Sequence, residues 1–331
     1  RRIRAVSKNA DNLEPTERVE RIAELFSTFK NPDKETVLTP WRVVNLHLGE
    51  ALGGYSFYDD KFENTISEPR LIEKEGITSR VFNKESNILE INSKTGLYPL
   101  YVSYTLYRLR LNEIPEEQQT FENKQKIWDD VVKNQVFVVC KTPMAKQITK
   151  RTLVGYRDAK VNTRYFEDLI NQLKDKRKCE SFIKKVRQGK TYWNRKEDDN
   201  MKFNAVVGNP PYQQEIDNSH RAIPVYNYFY DVAFRIGKIV SLISPARFLF
   251  KAGLTPSEWN QKMLDDPHFK VIDYFKDSKI VFPTADIKGG VVITLRDSQE
   301  TYGAIKIFTE NRILSSILNR VKTQTNENLS S

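Results

Sequence analysis

Seven short strand-like runs, most of them spaced by stretches of helical periodicity, restrict the fold more than any other feature. "NILEIN" (Asn87 to Asn92), "NQVFVVC" (Asn134 to Cys140), "NAVVG" (Asn204 to Gly208) and "KIVSLIS" (Lys238 to Ser244) read as strands, the second of the fully buried kind. "VNTRYF" (Val161 to Phe166) adds a further short strand. Helical stretches separate them: "GLYPLYVSYTLYRLRL" from Gly96, "PMAKQITKRTLVG" from Pro143 with Gly155 near its end, a basic region from Asp168 to Gln188, and Ile223 to Gly237. "KVIDYF" and "GGVVITL" then close the series as a hairpin-like pair. Such alternation predicts an α/β sheet with a partly antiparallel edge. Two helices precede it. "TERVERIAELFSTFK" places Val19, Ile22, Leu25 and Phe26 on one face, and "LTPWRVVNLHLGEAL" begins with Thr39 as N-cap and Pro40 at the first helical position.

Composition narrows the class. No apolar run approaches the roughly 20 residues that cross a bilayer, and no signal peptide opens the chain, so no membrane partner is expected. Two cysteines, Cys140 and Cys179, point to reduced thiols in a cytoplasm. Three scattered histidines and no paired-cysteine spacing give no metal signature. Charge is uneven. Lys141 to Lys196 carries 17 Lys/Arg against 5 Asp/Glu, which exceeds the whole chain's net of +10. Such a run reads equally as a solvated helix face or as the footprint of a phosphate-rich partner. Lys184, Lys185, Arg187 and Lys190 are the expected backbone-phosphate contacts of such a partner.

Ligands of open parallel sheets bind beyond the carboxyl ends of the strands. After "NILEIN" comes "SKTG", where small residues let main-chain amides approach a ligand and Glu90 offers a carboxylate. After "NAVVG" comes "NPPY", Asn209 to Tyr212. Pro210 and Pro211 restrict the residues before them and remove two N–H groups, leaving a stiff loop of acceptors. The Asn209 side-chain carbonyl joins them, and Tyr212 adds a flat face. A planar ring with an exocyclic –NH2 fits that set. Asn is no base, so the site orients the amine without deprotonating it.

In these motifs the chain resembles the adenine-specific amino-DNA methyltransferases of gamma-type motif order, and most of all the methylase domain of large single-chain restriction–modification enzymes. The resemblance covers roughly residues 38 to 295. Asn209-Pro210-Pro211-Tyr212 matches that family's [DNS]-P-P-[YFW] signature, and "LEINSKTGLY" its cofactor motif, with Lys94 where the first glycine of the turn usually stands. The resemblance implies a Rossmann-like methyltransferase sheet with helices on both faces, S-adenosylmethionine as cofactor, and double-stranded DNA as partner. It implies catalytic roles for Asn209, Pro210, Pro211 and Tyr212, and cofactor contacts from Thr39, Pro40, Glu90, Asn92, Thr95, Gly96, Leu97 and Asp168. It further implies stacking of a flipped base on Tyr212 and on Phe282 of "VFPTADI". No acid follows the second strand, where the family usually binds ribose; "CKTP" stands there.

The implied domains are an N-terminal helical linker or extension (1–37), a catalytic domain (38–310), and a connection (311–331) to target-recognition and nuclease or helicase domains of a longer chain. Release-factor glutamine methyltransferases share NPPY, since an amide –NH2 presents the same donors. An inactive methyltransferase-like DNA-binding module is the other alternative. With target recognition expected after the residues given, this piece should bind DNA weakly, salt-sensitively and with little sequence preference. Selection of one motif from randomised duplexes by several kcal/mol would show that the reader is already present.

Overall fold

The computed structural model describes residues 2–29, 37–193, 200–215 and 222–310. Seven strands make the central sheet: β1 (Ile88–Ser93), β2 (Val136–Cys140), β3 (Asn162–Tyr165), β4 (Phe203–Gly208), β5 (Gly237–Pro245), β6 (Phe269–Phe275) and β7 (Val291–Asp297). Their order is β6-β7-β5-β4-β1-β2-β3. β1 to β5 are mutually parallel, while β7 runs antiparallel to both β5 and β6. The expected terminal pair is therefore present, with its second strand inserted between the first and the rest of the sheet.

Side chains alternate across the sheet and feed two cores. Val138, Ala205, Val207 and Ile239 enter one; Phe137, Val139, Val206 and Val240 enter the other. Both faces being covered explains the continuous apolar runs. The first core also receives the helix Leu97–Leu111, which has almost no polar face. Tyr98, Tyr101, Tyr104 and Tyr107 are all buried there, as a helix apolar all round must be.

The N-terminal helices, expected as a linker or an extension, pack against that core. Ala10, Val19, Ile22 and Ala23 are buried in it. Arg18 donates to the carbonyls of Thr152 (2.9 Å) and Arg151 (3.1 Å), at the carboxyl end of the helix Pro143–Val154, where a cation is favoured. A hairpin of Gly54–Tyr58 and Thr65–Ile72, unexpected from the sequence, covers the same side.

Several boundaries differ from expectation. The helix Trp41–Ala51 has Pro40 as its N-cap, because the Thr39 side chain is engaged elsewhere. Ala222–Pro224 pairs with Gln213–Glu215, so the helix expected from Ile223 begins at Tyr226. The basic region divides at Asp175, whose carboxylate caps the helix Lys176–Arg187 by accepting from Lys178 N at 2.9 Å. "AIKIF" forms no strand; Ile305 and Phe308 pack against the second core. Residues 311–331, with the helix expected there, lie outside the described residues. Among the described residues no helix is long and apolar enough to cross a membrane.

β4 ends on Gly208, with φ +153°, and a Cβ built there would meet the Ile91 carbonyl oxygen of β1 at 2.7 Å. A main-chain atom of a central strand cannot yield cheaply. Gly208→Ala is expected to lower stability by on the order of 2 kcal/mol, read as a fall in urea midpoint at unchanged m. A midpoint equal to the parent's would show that β1 and β4 have room to part.

Candidate active site at the β1–β4 crevice

The strand order reverses between β1 and β4, which opens a crevice at their carboxyl ends. Register brings the two motifs together there: Glu90 lies opposite Val207, so Asn92 and Asn209 leave the sheet side by side. Asn92 adopts φ +69° and breaks the β1–β2 register between Ile91 and Ser93, turning the chain into the 93–96 loop. That loop is tied down by its surroundings. Ser93 Oγ accepts from Gly96 N at 3.2 Å, and Thr152 Oγ1 donates to the Thr95 carbonyl at 2.7 Å.

Gly96 has φ +80° and opens the helix Leu97–Leu111. Its bare face looks at the Thr149 main chain, which a Cβ would meet at 3.0 Å. The expectation that Gly96 leaves room for a ligand is therefore corrected: the room is taken by a neighbouring helix. Thr95 and Leu97, beside it, line the open cleft.

Asn209 is the best-held residue of the site. It is buried, and its Nδ2 donates to Thr39 Oγ1 at 3.0 Å. That bond fixes the amide plane and leaves Oδ1 buried without a partner. Thr39, expected as a helix cap, is thus the residue that aims Asn209. The half-buried Tyr212 turns its hydroxyl inward beside the Asn209 side chain, where it finds no hydrogen bond of ordinary geometry. Burial holds that phenol well above its usual pKa.

Glu90 is 5% exposed, and its Oε2 also has no partner. Burial raises its pKa from 4.5 to about 8, against the lowering effect of a Ser93 hydrogen bond and the charge of Lys94. A buried carboxyl with an open oxygen suits an incoming cation or hydrogen-bond donor.

A cleft of about 1920 Å³ fronts these residues. Thr39, Pro40, Thr95, Leu97, Tyr212 and Pro283 are on its wall. Phe282 is not: it is 1% exposed and meets Tyr212 edge-on, with ring centroids 6.3 Å apart and planes at 73°. Two rings in edge contact leave no slot between them, which corrects the expected base sandwich. Asp168 follows β3, as expected, but it is exposed, its carboxylate is bound to Asn171 Nδ2, and it does not line the cleft.

The basic helix is likewise displaced from its expected role. Arg187 O accepts from Met201 N, just before β4 begins, so Lys184, Lys185 and Arg187 lie toward the amino ends of the strands. The NPPY loop is at the other end. The side chain of Lys190 lies outside the described residues. Lys174, at the start of the basic stretch, does reach the site end, donating to Gln214 Oε1 at 2.6 Å. Among the described residues the cations on the cleft wall are Arg21, Arg42, Arg247 and Lys288, none of them singled out by charge density in the sequence. Glu17, Glu20 and Glu24 line the wall made by the helix Pro15–Ser27.

Residues 134–282 match the family model of the Eco57I restriction-modification methylases. In that span the chain resembles these methylases. An uncharacterized adenine-specific methylase of Mycoplasma pneumoniae is 30% identical over 95 residues, 28% of this chain and 22% of that relative. A nuclease-deletion mutant of the Type ISP restriction-modification enzyme LlaGI, solved with a DNA substrate mimic, superposes at a TM-score of 0.50 and 11% identity. That superposition covers 88% of this chain and 25% of that one. A type I system methyltransferase subunit from Streptococcus thermophilus superposes at 0.49 and 11% identity, over 96% of this chain and 59% of that one. The chain thus spans less than two thirds of each relative's length, and under a third of two of them. The matched family span contains NPPY and begins after the 93–96 turn, so that turn stands on its geometry.

Glu90 gives the site a measurable signature. With its folded pKa near 8 and its unfolded value near 4.5, the folded state holds the proton more tightly between those values. The stability it contributes is full below about pH 4.5 and is lost as pH rises through about 8. Glu90→Gln, which mimics the protonated carboxyl, should flatten the fall in thermal midpoint between pH 5 and 9. A parent and variant with parallel pH profiles would mean that the carboxyl is ionised in the fold.

Proposed function

We propose that this chain is the modification part of a restriction–modification enzyme, methylating the exocyclic amino group of adenine in DNA with S-adenosylmethionine. The observation that carries this reading is the buried, partnerless Oδ1 of Asn209, immobilised by Thr39 at the end of β4. An acceptor desolvated and held in place is ready for one N–H of an amino group. In this reading the main-chain carbonyl of Pro210 takes the other.

When bound, S-adenosylmethionine supplies the methyl group. Thr39, Pro40, Thr95 and Leu97 form the near wall of its pocket, with Asn92 at the strand end and Glu90 below. Asn209 and Pro210 draw the two amino hydrogens toward themselves, which favours a more pyramidal, electron-rich nitrogen. An amide cannot take the proton that this nitrogen sheds, so the proton passes to water. The target amine is inaccessible inside a duplex, and the base must leave the stack at a cost of a few kcal/mol. Tyr212 on the cleft wall offsets part of that cost, with Pro283 facing the cleft in place of Phe282.

Arg247 and Lys288 on the rim serve the flanking phosphates. Arg247 is exposed, and its stem lies against Gly289, where a Cβ would meet its Cγ at 2.5 Å. Target recognition and cleavage belong, in this reading, to other parts of a larger enzyme.

Asn209→Ala in the intact enzyme should cut labelled-methyl transfer to adenine-containing DNA by on the order of 100-fold or more. Asn209→Asp, which keeps the acceptor, should retain a measurable rate. Transfer by Asn209→Ala within a few-fold of the parent would remove Asn209 from the chemistry.

A further inference from the structure

We propose that Leu254 fills the gap that the flipped adenine leaves in the duplex, acting as a wedge beside Arg247. This positioning role rests on the base-flipping reading above and deepens it by naming the residue that holds the duplex open.

A base drawn out of the stack leaves its neighbours unstacked and its former partner facing an empty space. Proteins that unstack DNA frequently do so with an apolar side chain inserted between base steps. A wedge of this kind must be apolar, stand exposed at the cleft, and sit on a support that keeps it from folding away. Single exposed leucines are common on protein surfaces, so exposure alone assigns nothing. Leu254 is 71% exposed, and among the described residues it is the one large apolar side chain so exposed that also lines the cleft.

The loop that carries it is anchored on both sides. It follows β5, the neighbour of β4, so it stands beside the NPPY loop at the carboxyl end of the sheet. On one side is the single-turn helix Arg247–Phe250, after which Lys251 N donates to the Phe248 carbonyl (3.1 Å) and Ala252 N to the Arg247 carbonyl (3.0 Å). On the other, the buried Thr255 donates to Oδ1 of Asn260, in the helix Ser257–Asp265, at 2.7 Å. Lys251 at φ +51° and Gly253 at φ +96° turn the chain between these anchors. Thr255 is held inward, and Leu254 beside it is presented outward. Arg247 belongs to the same turn. A Cβ at Gly253 would lie 3.4 Å from Arg247 Cβ, so the bare backbone rests against the arginine stem. A cation that can hold a phosphate and an apolar tip that can enter the stack thus come from one anchored turn.

The test uses the intact enzyme on a duplex carrying its mapped methylation site, with 2-aminopurine in place of the target adenine. Fluorescence of 2-aminopurine rises when the base leaves the stack, and labelled-methyl transfer is measured on the matching adenine duplex. Leu254→Ala should lower both by roughly tenfold, the loss expected on removing most of a leucine side chain that is buried in the complex. Leu254→Met, apolar and of similar volume, should keep most of the parent's response. A second duplex leaves the target base mispaired, so that extruding it costs little. On that duplex most of the Leu254→Ala deficit should disappear, a rescue that a merely structural residue does not show. An equal loss on both duplexes would make Leu254 structural and overturn the proposal. Leu254→Ala matching the parent on the paired duplex overturns it as well. A parent that methylates no adenine in DNA sinks the function proposed above and this inference with it. Failure of the wedge alone leaves the parent's methyl transfer intact, so the two outcomes are distinct.

Discussion

The contact of Gly208 with the Ile91 carbonyl sets the distance between the two central strands at the point where they end. Only a residue without a side chain lets β4 lie that close, and the approach places Asn209 against the turn leaving β1. From there the amide reaches Thr39, on a segment 170 residues away in sequence, and the Asn209 carbonyl comes within reach of Asn92 and Lys94. Three chain segments are thereby held at one point by a single close packing of backbone on backbone.

Polar groups beneath and at this point are treated differently. Beneath it, His47 lies fully buried between Tyr98 and Ser241, at 2.7 and 2.9 Å. Ser241 Oγ donates to the Thr294 carbonyl, so it accepts from His47 Nε2, and Nδ1 accepts from Tyr98. Burial lowers the His47 pKa to about 3, and the neutral ring ties two helices to β5 with every hydrogen bond made. At the crevice, Glu90 Oε2 and Asn209 Oδ1 are buried with none. An unsatisfied buried acceptor costs roughly 1–3 kcal/mol. Two of them at the ends of neighbouring strands, above a satisfied network, mark the place where the fold gives up stability for binding.

Much of the fold was legible because strands covered on both faces are apolar throughout, and four such runs, Asn87 to Asn92, Asn134 to Cys140, Asn204 to Gly208 and Lys238 to Ser244, alternate with helical spacing. The N-terminal boundary was not. The helix Pro15–Ser27 shows an apolar stripe in sequence, but nothing local says that the stripe is buried against the helix Leu97–Leu111 and its neighbours. The hairpin Gly54–Tyr58 with Thr65–Ile72 escaped notice because its second strand alternates weakly and is mostly exposed. Charge density misled in a related way. The basic helix runs back along the sheet, so its densest end lies away from the site, while three arginines and a lysine from four segments converge on the cleft.

What the sequence determined by itself was chemistry that consecutive residues can carry: the stiff acceptor loop of Asn209 to Tyr212, with its prolines, needs no distant partner to be recognised. What only the tertiary structure decided was direction. Thr39 aims Asn209 where a local reading made it a helix cap, and Phe282, which the resemblance offers as a base-stacking ring, is sealed into the core. Backbone restriction acts between neighbours in the chain, whereas the orientation and burial of a side chain depend on segments that meet only after folding.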